Sequence, residues 1–355
     1  MTVTAPAPAE SARSTPVVPP RVVARRSPWL RQYVALAALA AVGIALPFVL
    51  PSAELAIAMR VVIFALMGIG WNIMSGFGGM FSFGHAAYFG IGAYVTAVLL
   101  VDFGVSPWIG LVAGMAVAAG AGVGISYLAL RYKLTGAYYA LSTFAFAEML
   151  RLFVVGNDGL RRTVGFTVPV QQGDSWGMFQ FRAGSPVYFW IATGMLVAAL
   201  VVSIQFLRSR TGRFTLAARD DDMAAAAIGI DVLRYKLTTV AISAAITAAA
   251  GTLYLQYYMF VDPELAFGAS VSNNAIITAV VGGAGTVWGP VVGAVVMAPL
   301  SDLVAGFLRN PPEWLSFVTG HGGLDVLVYA VILIACVLLL PQGIYGSIKN
   351  RAVRR

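Results

Sequence analysis

Residues 107–130 read PWIGLVAGMAVAAGAGVGISYLAL, without one charged side chain. A helix of that length rises about 36 Å, more than the ~30 Å hydrocarbon thickness of a bilayer. A barrel strand would need only ~10 residues and would alternate apolar with polar, which this stretch does not do. It therefore reads as a membrane-spanning helix. Further apolar segments lie at 33–50, 57–75, 86–101, 136–155, 186–207, 237–259, 271–281, 286–305 and 324–340. The expected fold is all-α: a polytopic transmembrane helix bundle of about ten membrane segments, broken helices among them, with a weak internal repeat.

The composition leaves little room for another class. Of 355 residues, 59% are hydrophobic and 11% charged, against ~25% charged in soluble domains. So few charges cannot clothe a soluble core of this size, and so apolar a chain does not stay disordered. The lipid bilayer is the expected partner. The net charge of +8 is accounted for by the positive-inside rule, so no nucleic acid is expected. One cysteine, Cys336, excludes a disulfide within the chain, and two distant histidines, His85 and His321, offer no metal cluster. No metal and no other cofactor is expected.

Basic residues set the topology. The segments 1–32, 131–135, 208–236 and 341–355 hold seventeen of the 23 Lys and Arg. Placing them inside puts both basic tails in the cytoplasm and makes the number of crossings even. The short 271–281 segment must then cross or nearly cross, as a broken or half-inserted helix held inside protein. The chain divides into a disordered cytoplasmic tail, 1–32, a transmembrane domain, 33–348, and a basic cytoplasmic tail, 349–355. The loop 156–185 falls outside, with a short strand pair near 178–181, and the loop 208–236 falls inside. The run 33–50 is long for a signal-sequence core, so a retained first span is preferred over a cleaved leader. GxxxG spacing at Gly110/Gly114, Gly120/Gly124 and Gly289/Gly293 fits close helix packing.

Three features bear on function. The inner loop reads SRTGRFTLAARDDDMAAAAIGIDVLRYK over 209–236. Asp220, Asp221 and Asp222 precede four alanines, and Gly229 follows. Acids at the start, strong helix formers and a closing glycine describe a capped helix of about two turns. It reads equally as a docking element for a partner or as a solvated loop. Second, two glycine-rich breaks match each other: WNIMSGFGGMFSFGHAAYFGIGAY over 71–94 and SNNAIITAVVGGAGTVWGPVVGAVV over 272–296. Each carries asparagine (Asn72; Asn273 and Asn274), then glycines (Gly76, Gly79, Gly84 and Gly90; Gly282, Gly283 and Gly285), an aromatic, and Gly-Ala. Matched interruptions in two halves point to a transport site; the plainer reading is that the glycines permit close crossing. His85 fits a packing or capping role better than a catalytic one. Third, chains of intramembrane carboxylates are missing; Glu148 and Arg151, three apart, could pair, and Asp302 lies near an outer end. There is no GxxxxGK[ST] motif and no catalytic constellation, so no catalytic residue is expected and the chain is read as a transporter subunit driven by another protein.

At these residues the sequence resembles the permease subunits of branched-chain amino acid ABC importers, of the LivM type, over about 55–350. Residues 84–94, GHAAYFGIGAY, look like the family's G-H-A-A-F-F-G-I-G-A-Y. In the inner loop Gly212-Arg213, Ala218-Arg219-Asp220, Ala225-Ala226, Gly229-Ile230 and Arg234-Tyr235-Lys236 match in order. In the second break 282–286, Gly289-Pro290 and Gly293-Ala294 match, as does PQGIYG at 341–346. The outer segment GNDGLRRTVGF at 156–166 departs from the family's T-x-G-x-x-G-L. The resemblance implies that the loop carrying Gly212, Arg213, Ala218, Arg219, Asp220, Asp221, Asp222, Ala225, Ala226 and Gly229 couples to an ATP-binding ABC subunit. It implies that the breaks line the translocation path. It also implies a second related permease, a periplasmic substrate-binding protein and an inner-membrane location. Related permeases carry urea or short amides with similar motifs. A passive channel or secondary carrier is the alternative from another class.

Overall fold

The computed structural model describes residues 28–170, 173–182, 185–309 and 343–347. The expected segment 324–340 and most of both tails lie outside the described residues, as do Cys336 and His321. The helices are α1 (Pro28–Val49), α2 (Ser52–Trp71), α3 (His85–Val101), α4 (Pro107–Arg131), α5 (Ala137–Gly156), α6 (Val187–Arg208), α7 (Arg210–Asp220), α8 (Asp222–Ala227), α9 (Val232–Tyr258), α10 (Pro263–Phe267), α11 (Ala269–Gly283) and α12 (Gly289–Arg309). Helix α2 continues as a π-helical turn, Asn72–Phe77. Among the described residues, seven stretches are long and apolar enough to cross a membrane: Leu30–Val49, Ser52–Phe77, Pro107–Arg131, Ala137–Gly156, Val187–Arg208, Val232–Tyr258 and Pro263–Gly283. His85–Val101 and Gly289–Leu303 are apolar but shorter.

Two expectations need correction. The segment read as 271–281 starts earlier, because Asp262 caps α10 by accepting from the Leu265 N–H at 2.7 Å and Pro263 opens the helix. Charges at Asp262 and Glu264 hid this first part from an apolar count. The helix is interrupted at Gly268, where the backbone turns extended, and resumes at full combined span length. The strand pair also lies elsewhere. Strand β1 (Phe166–Thr167) pairs antiparallel with β2 (Phe260–Val261), while near 178–181 there is a single bridge, Ser175 to Gln180.

Contacts between loops sort the chain ends of the helices onto two opposite rims. On one rim, Asp102 pairs with Arg161 at 3.0 Å, Trp108 Nε1 donates to the Trp176 carbonyl at 2.7 Å, and β1 meets β2. On the other, Arg219 reaches Gly76, Asp222 pairs with Lys236, and Arg208 donates to Tyr33 at 2.9 Å. Successive loops alternate between these rims. The start of α1 lies on the second rim beside Arg208. Gly343 lies there too, against Gly282 and Gly283. Both described ends therefore share a rim. Arg131, Lys133, Arg208, Arg210, Arg213, Arg219, Arg234 and Lys236 stand on that rim, against Arg161, Arg162 and Arg182 on the first.

Helix α3 is the core of the bundle, with thirteen of its seventeen residues buried. It runs alongside α9, and the crossing depends on Gly92: a Cβ there would overlap the Ala248 backbone, and Gly114 of α4 closes in from a third side. Of the GxxxG pairs, Gly110/Gly114 packs on α3 and Gly289/Gly293 on α11, whereas Gly120 and Gly124 face outward with no neighbour within 4 Å. Polar links stitch the interior: Thr96 to Thr252 at 2.9 Å and Ser126 to Tyr139 at 2.8 Å. Arg60 of α2 pairs with Asp302 of α12, and Arg151 donates to Glu148 at 2.9 Å, so the three intramembrane charges noted in the sequence, Glu148, Arg151 and Asp302, are all partnered.

Candidate transport and coupling site

The two glycine-rich breaks, about 200 residues apart in the chain, touch each other. Asn72, buried at 2% exposure, donates from Nδ2 to the Thr286 carbonyl at 2.9 Å and accepts the Gly285 N–H at 2.7 Å. One side chain of the first break thus fills both hydrogen-bonding roles with the backbone of the second. Such a pairing needs close backbones. Gly76 has no room for a Cβ, which would meet Asn72 and the Gly285 nitrogen, and Gly285 adopts a left-handed φ of 77°. Each break is closed by its own polar contacts. Trp71 Nε1 donates to the Ser82 carbonyl at 2.9 Å and Ser75 Oγ to the Met80 carbonyl at 2.9 Å. Thr286 Oγ1 donates to the Gly283 carbonyl at 2.7 Å and accepts the Gly289 N–H at 3.0 Å.

His85 is fully buried at the start of α3. Its ring nitrogens lie 3.2 Å from Ser82 Oγ and 3.0 Å from Ser243 Oγ. Ser243 spends its hydroxyl hydrogen on the Gly70 carbonyl at 2.6 Å, so it accepts from His85. That assigns the proton to Nε2 and leaves Nδ1 to accept from Ser82. The ring ties α2, α3 and α9 together. Gly84 lies on the Thr143 backbone, Gly90 under the Phe267 ring and Gly282 on the Gly289 carbonyl. Asn273 and Asn274 do not join this centre; they sit on the outward side of α11, exposed and half-buried.

The inner loop is two helices. Ser209 caps α7 by accepting the Gly212 N–H at 3.0 Å, and Gly212 packs on the Phe206 carbonyl. Arg213 donates to the Arg208 carbonyl at 2.8 Å. Ala218 is buried, and Thr215 bonds Thr239 at 3.1 Å, fastening α7 to α9. Asp221 ends α7 and caps α8, accepting the Met223 and Ala224 N–H groups, each at 2.9 Å. Asp222, in the first turn, pairs with Lys236 of α9. Gly229 follows at φ 85°. Of α8 only Ala225 is buried; Ala226 is exposed, and Met223 and Ile228 stand 85% and 78% exposed. Beneath α8, residues including Gly79, Met80, Leu134, Tyr139, Arg219 and Lys236 line a cavity of about 210 Å³.

Arg219 and Gly79, assigned to different features in the sequence, meet here. The Arg219 stem lies on Gly79, at φ 68°, and its Nη1 donates to the Gly76 carbonyl at 3.0 Å. Nothing in the spacing of either segment signals this contact. The Asp222–Lys236 pair also escaped the sequence, although both residues lie in the loop that was singled out. Among the described residues no group of three or more His, Cys, Asp or Glu could hold a metal ion.

The family described as "Branched-chain amino acid transport system / permease component" matches residues 54–322. The chain is 29% identical over 300 residues to the high-affinity branched-chain amino acid transport system permease protein LivM of Salmonella typhimurium, covering 78% of this chain and 70% of that one. It is 30% identical over 302 residues to LivM of Escherichia coli, with the same coverage. It is also 27% identical over 299 residues to the permease protein LivH of Escherichia coli, covering 80% and 91%. No solved structure matches.

Proposed function

The chain belongs to the family of permease components of branched-chain amino acid transport systems, and from that premise we propose that it imports branched-chain or other apolar amino acids, driven by an ATP-binding subunit that docks on α8. It is a multi-pass membrane permease subunit of an importer and not an enzyme; in such systems separate subunits hydrolyse ATP. The observation that carries the docking assignment is α8 itself. It is a capped helix outside the bundle, on the basic rim, with Met223 and Ile228 exposed and fixed to the transmembrane body through Lys236 and Arg219. A short capped helix with two exposed apolar side chains fits a groove on a partner.

The same reading assigns the basic rim to the cytoplasm, by the positive-inside rule, with both termini on that side. The opposite rim, with its aromatic loop 173–182, meets a periplasmic substrate-binding protein. The path follows the seam of the breaks, with Asn72, Gly76, Gly79, Gly84, His85, Gly90, Gly282, Gly283 and Gly285 shaping it and Asn273 and Asn274 on its open side. An exposed Asn273 beside a half-buried Asn274 on an apolar helix is unfavourable against lipid, which favours a second related permease, or water, beside α11. No observation favours a urea or amide permease, or a passive channel.

The test is reconstitution in liposomes with candidate ATPase, second permease and binding protein. ATP-dependent accumulation of labelled leucine that needs all four components, and that is lost on replacing 222–227 by a Gly/Ser linker, is expected. Concentrative uptake by this chain alone would end the proposal.

A further inference from the structure

We propose that Arg219 and Asn72 form a latch that ties the position of α8 to the junction of the two breaks. This rests on reading α8 as the docking element and adds how its movement is delivered. The contacts are short in sequence and in space. Arg219 is separated from α8 by Asp220 and Asp221 alone. Its head is held by Asp220, which accepts from Nε at 3.3 Å and Nη2 at 3.1 Å, while Nη1 donates to the Gly76 carbonyl.

Gly76 lies in the π-helical turn that ends α2. Carbonyls at a helix C-terminus lack intrahelical donors and carry the negative end of the macrodipole. A guanidinium is a fitting cap for them, and a charge-assisted hydrogen bond is stronger than a neutral one. Asn72, one turn earlier, holds Gly285 and Thr286. The place where a Gly285 side chain would stand is nearest to the Gly76 carbonyl oxygen, at 3.5 Å, and Arg219 Nη1, at 3.8 Å. The inner loop, the first break and the second break therefore meet at one point. The glycines 76, 79 and 285 give that point its clearance. If α7 and α8 are drawn outward, the Gly76 carbonyl loses its donor, the turn carrying Asn72 loosens, and the two breaks are released from each other. Thr215 and Thr239 supply the pivot behind the latch.

The first test uses the full chain alone, so it does not depend on the ATPase assignment. Hydrogen exchange is measured at the peptide containing Gly285 and Thr286. Arg219→Ala is expected to speed that exchange fivefold or more, with Arg219→Lys recovering at least half of the protection. Asn72→Ala is expected to do the same, and Arg219→Ala added to it to change nothing further. Unchanged exchange in Arg219→Ala, or independent effects that multiply in the double variant, overturns the latch. In the reconstituted four-component transporter, the ratio of leucine moved to ATP hydrolysed is expected to fall at least fivefold in each single variant, and no further in both. A ratio within twofold of the parent overturns the latch. Failure of the parent complex to couple ATP to uptake, with the exchange result intact, would instead sink the docking assignment.

Discussion

Replacing Asp221 by alanine tests the element proposed to dock the ATP-binding subunit. Helix α8 has six residues, well below the ~12–15 at which isolated helices persist in water. Packing contributes little, since only Ala225 is buried. What holds the first turn is the Asp221 carboxylate on the Met223 and Ala224 N–H groups. Loss of an N-cap costs ~1 kcal/mol, and loss of a negative charge at a helix N-terminus ~0.3–1 kcal/mol. Together they come to roughly 1.4 kcal/mol, or about tenfold in the opening equilibrium. Amide exchange over 223–228 is therefore expected to speed about tenfold in Asp221→Ala. Asp221→Asn keeps the acceptor and loses the charge alone, about two- to fivefold. Docking responds less. If α8 is about 99% ordered in the parent, tenfold opening leaves about 90% ordered, and affinity for a partner that binds the ordered helix drops only by about a tenth. Exchange is thus the sensitive assay. Unchanged protection in the alanine variant, or an asparagine variant as disrupted as the alanine one, would refute the reasoning.

Further outcomes follow from packing and charge. Gly92→Val drives side-chain atoms into the Ala248 backbone and is expected to cost about 1–3 kcal/mol or more, while Gly120→Val, on an open face, stays within about 0.5 kcal/mol; thermal unfolding in detergent separates them. Asp302→Leu leaves Arg60 unpaired in the membrane, so it is expected to lower stability more than the double change Arg60→Leu with Asp302→Leu does, read from the same melts. In a background lacking Cys336, a cysteine at Met223 is expected to react with impermeant maleimide only from the cytoplasmic side and one at Val164 only from outside. The opposite pattern would invert the assigned topology.

Much of this architecture was readable in advance because membrane burial writes a coarse signal. Residues 107–130 are uncharged, and the structure spans them with one helix, α4. The capped helix after Asp221 was also visible, since acid, alanine run and glycine are local features. What escaped was whatever depended on contact between distant segments or on charge inside a helix. Asp262 and Glu264 hid α10 because a hydropathy count penalises the side chains that start it. Asn72 and Arg219 were both noted, for separate reasons. That they converge on Gly76 is set by the crossing of α2, α7 and the second break, and no spacing in the sequence encodes it. Most of the glycines in the two breaks lie against neighbouring backbones, a role that sequence alone could not separate from lining a pore.

The enclosure of α3 also has a consequence for how the protein is made. Its main cover, α9, ends at Tyr258, 157 residues after α3 ends at Val101. At ribosomal rates of about 5–20 residues per second, α3 emerges roughly 8–30 seconds before α9 is complete. During that interval a helix with His85 and Thr96 on faces meant for protein has only its near neighbours for shelter. Insertion of this chain is therefore expected to pass through a stage in which α2 to α4 are held beside the insertion machinery, and biogenesis to be most vulnerable to substitutions that weaken the α3–α4 contact at Gly92 and Gly114.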